Sequence, residues 1–415
     1  MKNKKIAIVS NGYAWFPCEP GPNRFFYIAN LFVNAGYDVE VITVDFQHFQ
    51  KKARDTKKIL SENYPFKITF VKTPPYNKNI DFKRIRSNQT VAKNIASYLT
   101  KSQTKYDAVY CSIPSNRVAA RVSEYCRQNG IPFIVDIEDL WPEAMSMVLP
   151  KNPLTSLFLR PLKKDAETAY KNASGAIGTS EDYTARAVKN NYRSIPMKTV
   201  YVGCDLDVFD EGVRTYSGEI EKPENEYWVT YAGSLGKSYD ILTLIDAAGR
   251  LEKEGHADIK IKILGTGPRA DEFKNHAKEI GCGNVEFLGY TAYPKMAAYL
   301  HKSDAAINSF VKGAPQSIVN KVGDYLSSGR PMINTLENPV FCDLVTKKDF
   351  GINVPAEDAK ALAEGILLLK NNPELSKKYS VNARITAERE FDRKTAYQAI
   401  VDMADLLIQD NSERK

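Results

Sequence analysis

Four polar residues near position 320 have side chains suited to holding a diphosphate and a ribose. Gln316, Asn320, Lys321 and Asp324 follow one another where a small polar turn leads into a predicted helix. Backbone amides at the start of a helix attract anions, and a neighbouring lysine adds positive charge. Asp324, one turn further on, can accept hydrogen bonds from two ribose hydroxyls. The pattern predicts a nucleotide site, and its alternative is an ordinary amphipathic helix that ends at a glycine.

Two glycine-containing turns precede that segment. Gly233 and Lys237 follow one predicted strand, and Gly265 and Gly267 follow the next. Glycine lets a backbone approach a phosphate closely, and lysine supplies a point charge for it. A dinucleotide fingerprint would need a further glycine at position 270, which is Ala270. One such turn is weak evidence, but two in the same half of the chain favour phosphate binding.

Acidic residues crowd the end of a buried strand in the first half of the chain. Asp136, Glu138 and Asp139 lie within the run 134–143. We predict that Glu138 and Asp139 are catalytic, because carboxylates there can hydrogen-bond sugar hydroxyls or stabilise positive charge at an anomeric carbon. The structural alternative for Asp139 is capping of the following turn.

The turn after the first predicted strand contains Gly21 and leads into a helix that carries Arg24 in its first turn. Free backbone amides and the guanidinium could together hold an anion. Glycine and proline are also common in such connections, so an ordinary loop is the alternative.

No metal site is predicted. The six cysteines form no CxxC pair, and the four histidines lack the spacing of metal ligands. The run Asp205-Leu206-Asp207 resembles an acidic metal-binding motif. It follows no nucleotide-binding strand, and we interpret it as part of a linker. We therefore expect neither a metal nor another cofactor.

Two series of alternating strands and helices must position these residues. Buried β-rich runs that alternate with amphipathic stretches indicate parallel sheets with right-handed crossovers. Predicted strands span 4–10, 38–44, 67–72, 107–111, 132–136, 175–178 and 198–202, then 227–231, 259–264, 285–288, 305–307, 331–333 and 351–354. Predicted helices span 23–35, 84–100, 116–128 and 155–172, then 241–254, 269–280, 294–301, 319–327, 359–370, 373–389 and 394–408.

A chain of 415 residues exceeds what one hydrophobic core supports. We predict an N-terminal Rossmann-like domain over 1–205, a C-terminal one over 206–391, and a last helix over 392–410 that packs on the first. Scattered acids and glycines over 205–225 are interpreted as the passage between domains. Doubly wound units bind ligands at the carboxyl ends of their strands, so two facing units predict a cleft between them.

Charge is distributed unevenly along the chain. Residues 1–200 hold 30 Lys and Arg against 17 Asp and Glu, whereas the remainder holds 27 against 33. The basic clusters 51–54, 57–58, 83–86 and 163–164 could meet anionic lipid headgroups or a diphosphate-bearing acceptor, and a solvated surface is the alternative. The basic residues lack interleaved aromatics on a recognition element, so nucleic-acid binding is not expected.

The apolar runs are all shorter than the roughly 20 residues that a membrane-spanning helix needs. The basic N-terminus is followed by an apolar stretch too short for a signal peptide. We expect a cytoplasmic protein, with peripheral attachment to the inner face of the membrane through its basic half.

Together these motifs resemble the retaining GT-B glycosyltransferases of family 4, over nearly the whole chain. The segment 320–331 is similar to the family's serine-lysine-x-x-glutamate-tyrosine-x-x-x-glycine-x-proline signature. The segments 233–237 and 139–143 resemble the branch that builds bacterial surface polysaccharides. Val202 to Asp205, with Phe209, resembles the family's segment before the interdomain linker.

The resemblance implies that the donor binds mainly in the second domain and the acceptor in the first. Asp324 would hold the ribose, the backbone around Asn320 and Lys321 the diphosphate, and Lys237 a phosphate. Residues that the resemblance places near the base or against the donor are Gly265, Gly267, Tyr290, Gly21 and Arg24.

Three positions depart from the family pattern. The first of the family's paired glutamates falls on Gln316, which removes one charge from the donor site. A family histidine corresponds to Glu138, and a family arginine to Ser234, so Lys237 must carry more of the phosphate charge.

The resemblance implies metal-independent transfer of a sugar from a UDP, GDP or dTDP sugar to a glycan or polyprenyl-diphosphate-linked acceptor. Lys237, the third predicted catalytic residue, would stabilise the departing nucleoside diphosphate together with Lys321, Arg24 and helix N-termini. An epimerase or phosphorylase on the same fold and a non-catalytic sugar-nucleotide-binding partner remain as alternatives.

Overall fold

The structure is a computed structural model that describes residues 3–11, 16–19, 24–48, 50–78, 82–143, 145, 152–189, 191 and 193–413. The chain forms two compact units. The first comprises Met1–Val200 together with Tyr397–Lys415, and the second comprises Tyr201–Ala396.

The first unit is built on a seven-stranded parallel sheet with helices between its strands. Its strands are β1 (Lys5–Val9), β2 (Asp38–Val44), β5 (Lys67–Val71), β6 (Ala108–Ile113), β7 (Phe133–Ile137), β8 (Gly175–Gly178) and β9 (Met197–Thr199), with β3 (Phe46–Gln47) and β4 (Lys52–Ala53) forming a separate hairpin. The order in the sheet is β5-β2-β1-β6-β7-β8-β9. Its helices are α1 (Arg24–Asn34), α2 (Thr56–Ser61), α3 (Phe82–Lys101), α4 (Asn116–Asn129), α5 (Pro153–Asn172) and α6 (Glu181–Lys189).

The second unit repeats this plan with a six-stranded parallel sheet. Its strands are β10 (Tyr227–Ala232), β11 (Ile259–Leu264), β12 (Val285–Gly289), β13 (Ala305–Asn308), β14 (Met332–Asn334) and β15 (Gly351–Asn353), in the order β12-β11-β10-β13-β14-β15. Its helices are α7 (Leu206–Tyr216), α8 (Ile241–Lys253), α9 (Ala270–Glu279), α10 (Tyr293–Lys302), α11 (Lys321–Ser327), α12 (Pro339–Lys348), α13 (Ala359–Asn371), α14 (Pro373–Thr386) and α15 (Arg393–Ala396), with a π-helical stretch over Ala387–Phe391. Helix α16 (Gln398–Glu413) follows in the first unit.

The strands that the sequence presents as continuous apolar runs are buried on both faces of the sheet. All residues of β6 and the last four of β1 are buried. Burial on both faces is what helices on each side of a parallel sheet produce, because every side chain then contacts a packed layer. The predicted doubly wound α/β class is confirmed.

The interpretation of 205–225 as a passage between domains is wrong. Asp205 caps α7 by accepting a hydrogen bond from the amide of Val208 (3.2 Å), and α7 packs against α10 within the second unit. Gly212, which suggested a break, lies at that helix contact. A Cβ there would come within 2.7 Å of the Cα of Pro294, so the contact excludes any larger residue.

The last helix belongs to the first unit. Its apolar side, including Ile400, Met403 and Leu407, is buried. Asp405 accepts a hydrogen bond from the hydroxyl of Tyr37 (2.8 Å), and Asn411 donates one to the carbonyl oxygen of Gly130 (3.0 Å). In the described part of the chain, no helix is long and apolar enough to cross a membrane.

Candidate functional site

The carboxyl edge of the second sheet brings several predicted residues together. Strands β10 and β13 are neighbours, while β11 and β12 lie on one side of them and β14 and β15 on the other. The sheet order therefore reverses between β10 and β13, the position at which open α/β sheets bind ligands. The segment after β10 carries Gly233 and Lys237, and the segment after β13 carries Gln316, Asn320 and Lys321.

The two glycine turns interlock. A Cβ on Gly265 would lie 1.8 Å from the carbonyl oxygen of Gly233, and one on Gly267 would lie 2.3 Å from that of Leu235. The Leu235 amide donates a hydrogen bond to the carbonyl oxygen of Thr266 (2.9 Å). Gly265 and Gly267 thus pack directly against the backbone of the turn that contains Gly233 and Leu235. Their position near a nucleotide base stays a prediction.

Lys321 occupies an aromatic cage beside the first turn. Its Nζ lies 4.0 Å from the ring centre of Tyr239, 4.3 Å from that of Tyr231 and 5.0 Å from that of Phe310. A Cβ on Gly233 would be 3.4 Å from this nitrogen. Among the described residues, the buried Nζ has no hydrogen-bond partner. Burial lowers the pKa of Lys321 well below its usual value, because three π-faces replace water without supplying a counter-ion.

Asp324 lies on the same helix and is held by a residue that sequence reasoning missed. The hydroxyl of Tyr293 donates a hydrogen bond to Oδ1 of Asp324 (2.8 Å). Burial raises the pKa of Asp324 to about 6, against the opposing effects of Tyr293 and Arg393. The carboxylate is therefore mostly ionised at neutral pH.

Helix α11 is fixed to the end of β10 by one side chain. The hydroxyl of Tyr325 donates to the carbonyl oxygen of Ala232 (2.9 Å) and accepts from the Ala232 amide (3.0 Å). This pair of hydrogen bonds ties the helix that carries Lys321 and Asp324 to the strand that precedes Gly233.

The other predicted donor residues of this unit differ in exposure. Lys237 and Asn320 are exposed, and the side chain of Tyr290 is 80% exposed. The Oε1 atom of Gln316 is buried without a hydrogen-bond partner among the described residues. Gly21 lies outside the described residues.

Arg24 has partners other than those predicted for it. It is buried, its Nη2 donates to both carboxylate oxygens of Asp136 (3.1 and 3.3 Å), and its Nη1 donates to the hydroxyl of Tyr397 (2.6 Å). Tyr110 donates a further hydrogen bond to Asp136 (2.6 Å). Because the guanidinium is already neutralised by a buried carboxylate, the arrangement does not favour direct phosphate binding by Arg24.

Glu138 sits at the rim of this network. Its Oε1 lies 3.6 Å from Nε of Arg24, and neither atom has a hydrogen-bond partner in the region that the structure describes. Burial and the neighbouring Asp136 raise the pKa of Glu138, while Arg24 opposes the shift. Such a carboxyl can hold or release a proton near neutral pH.

Asp139 is oriented by its neighbour in the chain. The Nε1 of Trp141 donates a hydrogen bond to Oδ2 of Asp139 (2.9 Å). Burial raises the pKa of Asp139, and the bond from Trp141 opposes that shift. Glu138 and Asp139 both follow β7, so the carboxyl edge of the first sheet carries the two predicted catalytic acids together.

The described residues contain no group of three or more His, Cys, Asp or Glu placed to hold a metal ion. Sequence reasoning had no signal for the aromatic cage, because Tyr231, Tyr239 and Phe310 are not regularly spaced. It also missed Tyr397, which reaches Arg24 from the far end of the chain.

Residues 213–386, most of the second unit, match the family model described as glycosyl transferases group 1. This part of the chain is similar to the group 1 glycosyl transferases. It is 24% identical over 199 residues to a protein named as a colanic acid biosynthesis glycosyl transferase, WcaI of Escherichia coli (strain K12). That match covers 47% of this chain and 47% of WcaI, so it spans about half of the curated relative.

Solved structures share the fold of this chain over nearly its whole length. Sucrose-phosphate synthase from Thermosynechococcus elongatus has a TM-score of 0.72 at 17% identity, covering 98% of this chain and 100% of its own. HepE from Anabaena, solved in complex with UDP, has a TM-score of 0.69 at 14% identity, covering 97% and 99%. The GT-B fold expected from the sequence motifs is confirmed.

Proposed function

We propose that this protein is a glycosyltransferase that moves a sugar from a nucleoside-diphosphate sugar to a glycan or polyprenyl-diphosphate-linked acceptor, with retention of the anomeric configuration. The supporting observation is Lys321. Its buried ammonium has three aromatic faces and no counter-ion within the described residues, at the point where the order of the second sheet reverses.

A diphosphate would supply the missing partner. An ammonium removed from water without a counter-charge is costly, and an anion beside it recovers much of that cost. The charge that develops on the departing nucleoside diphosphate would strengthen the same interaction in the transition state, which is how electrostatic catalysis lowers a barrier. Lys237 would add a second, solvent-facing charge, and the proposed reaction uses no metal.

The ribose would lie between the diphosphate and the base. Asp324, oriented by Tyr293, would accept hydrogen bonds from ribose hydroxyls. Tyr290 follows β12, the edge strand beside β11, and offers an exposed ring for stacking on a base. HepE, which shares the fold, was solved with UDP, and this supports a nucleotide ligand without selecting UDP over GDP or dTDP here.

The carboxyl edge of the first unit would receive the acceptor. Glu138 and Asp139 would contact the sugar or stabilise positive charge at its anomeric carbon. Arg24 would act as a positioning residue that holds Asp136. Reaction at the cytoplasmic face of a membrane fits a nucleotide-sugar donor and a basic first half.

Nucleotide binding tests the donor site. UDP, GDP and dTDP are compared by thermal shift for the wild type, for Lys321→Met, and for Lys274→Met, which removes an exposed lysine on α9. One nucleotide at about 100 times its Kd should add about 2.7 kcal/mol of stability. For a unit of about 150–250 residues this corresponds to a rise in Tm of roughly 5–11 °C. Lys321→Met should abolish the shift, and Lys274→Met should retain it.

Absence of a shift for every nucleotide in folded wild-type protein would contradict the proposal. A thermal shift that survives Lys321→Met would show that Lys321 does not bind the nucleotide. Release of nucleotide from a donor sugar only when an acceptor is present separates a transferase from an epimerase.

A further inference from the structure

Helices α3 and α5 of the first unit border an apolar groove near their N-termini. Its volume is about 890 Å³, in the range of small-molecule sites. The large apolar side chains that line it in exposed positions are Phe82 (83%), Leu154 (77%), Leu157 (57%), Phe158 (41%) and Ile85 (37%). Contiguous exposed apolar surface is costly in water and marks an interaction site.

The groove is also positively charged. Lys78, Arg84 and Arg117 line it, and Asp165 is the one carboxylate among its described lining residues. Asp165 is already paired with Nε of Arg117 (2.8 Å). The lining therefore carries an excess of positive charge beside its apolar walls, which suits a ligand that is both apolar and anionic.

Arg84 marks the polar, inner end of the groove. It is only 9% exposed, and its guanidinium lies 4.7 Å from the ring centre of Trp141 and 5.9 Å from that of Tyr76. A smaller adjoining cavity shares Arg84, Asn88, Ser115 and Trp141 with the groove. Polar groups thus gather at one end, and the exposed apolar side chains line the other part.

The same end adjoins a predicted catalytic acid. Trp141, which lines the groove, donates its indole hydrogen bond to Asp139. Nδ2 of Asn116 donates to the carbonyl oxygens of Trp141 (2.7 Å) and Leu162 (3.0 Å), which joins the Trp141 loop to α5. An anionic group near Arg84 would therefore lie beside the carboxyl edge of the first sheet.

We propose that this groove binds the acceptor as a lipid, with one long apolar chain along Phe82, Leu154 and Phe158 and its phosphate or diphosphate at Arg84. This inference rests on the proposed function and narrows its acceptor class. A free glycan carries hydroxyl groups along its whole length and would leave some of them without hydrogen bonds against the part of the groove lined by Phe82, Leu154 and Phe158. A bilayer surface would meet the exposed rim, but only a chain that enters the groove brings a phosphate to the buried Arg84.

Binding of dispersed farnesyl diphosphate to the full chain, measured by calorimetry without nucleotide, tests the proposal. Farnesyl diphosphate should bind at least about tenfold more tightly than inorganic pyrophosphate, because burial of even one apolar group of side-chain size corresponds to about that factor. It should also bind more tightly than farnesol, which lacks the anionic head that Arg84 would contact. The paired substitution Leu157→Gln with Phe158→Gln should weaken binding by about tenfold or more. Leu60→Gln, at a site of similar exposure (55%) on α2 of the same unit, should leave binding unchanged.

The anionic head is tested separately. Arg84→Gln should weaken farnesyl diphosphate binding while leaving that of farnesol unaltered. If the Arg84→Gln variant does not fold, Lys78→Gln, at an exposed position in the groove lining, is tested in its place. It should also weaken farnesyl diphosphate binding.

Equal affinity for farnesyl diphosphate and pyrophosphate would overturn the proposal, as would no effect of the groove substitutions. Binding only to phosphatidylglycerol vesicles, and not to dispersed farnesyl diphosphate, would replace it by contact with a bilayer. A nucleotide-induced thermal shift measured on the same preparation separates the two hypotheses. Loss of lipid binding with an intact shift overturns the lipid acceptor alone, and lipid binding without any shift overturns the donor proposal alone.

Discussion

Replacement of Glu138 by glutamine should make the first unit more stable at neutral pH while removing transfer activity. The side chain keeps its shape and loses its charge. Glu138 lies next to the buried Asp136, and its Oε1 faces Nε of Arg24 at 3.6 Å without a hydrogen bond. Repulsion by Asp136 and loss of water outweigh the attraction of Arg24, so ionisation of Glu138 costs free energy in the folded protein.

The magnitude and its dependence on pH follow from the raised pKa of Glu138. Above about pH 4.3 the unfolded chain releases this proton while the folded protein retains it, so the free energy of unfolding falls as pH rises. Each pH unit between the two pKa values costs about 1.4 kcal/mol. Because 22% of the side chain is exposed, water offsets part of this cost, and we expect a total of about 1–2 kcal/mol at neutral pH. Glutamine removes this dependence.

Urea unfolding of the wild type and of Glu138→Gln at about pH 5 and about pH 7.5 measures the effect, with the linear dependence on urea giving each free energy. The advantage of the variant should grow by about 1–2 kcal/mol between these values. Glu62→Gln, at an exposed position of the same unit, serves as the control and should show no such growth. Transfer of labelled sugar by each protein, measured in parallel, reports the catalytic role.

A constant difference across pH would refute the reasoning, as would a variant that becomes less stable relative to the wild type as pH rises. Either result would mean that Arg24 holds Glu138 as an ordinary ion pair. A gain in stability combined with a loss of activity is the signature of a functional group kept in an unfavourable environment.

Two further predictions concern other parts of the structure. Gly265→Ala should destabilise the second unit by about 2 kcal/mol or more, because the new Cβ would lie 1.8 Å from the Gly233 carbonyl oxygen. Gly218→Ala, with no atom within 4 Å, is the control in urea unfolding, and equal stabilities would disprove the close packing. Burial, Arg84 and Lys51 lower the pKa of His48 to about 3. His48 should therefore contribute a loss of roughly 1.4 kcal/mol per pH unit below about pH 6.5, where only the unfolded imidazole takes up a proton. Urea unfolding of the wild type and of His48→Gln measures this contribution as the difference between their free energies of unfolding, which should change with pH by that slope. NMR should show no titration of His48 near pH 6.5, and a normal titration there would contradict the prediction.

Local pattern determined much of the fold and part of the candidate site. Strands β2 and β11 span the predicted residues, because apolar side chains that recur at every second position, or in a short continuous run, indicate a strand within a short window. The turns with Gly233 and Lys321 were found for a related reason. The carboxyl ends of parallel strands share one edge, so polar residues after neighbouring strands are expected near each other.

The segment 205–225 was misread because its local sequence does not distinguish a helix from a loop. Gly212 indicated a break in the chain, yet in α7 it is the residue that allows a close helix contact with Pro294. A glycine between packed helices and a glycine in a loop have the same local sequence. Only the neighbour across the contact, far away in the chain, distinguishes them.

Tertiary contacts alone decided the electrostatics of the site. Arg24 is neutralised by Asp136 and bonded to Tyr397, and Lys321 lies among aromatic rings contributed by two strand ends. The apolar groove likewise arises where α3 and α5 approach each other. Sequence identifies a charge or an apolar side chain, but its energy depends on which distant groups replace water around it, and the folded chain sets those neighbours.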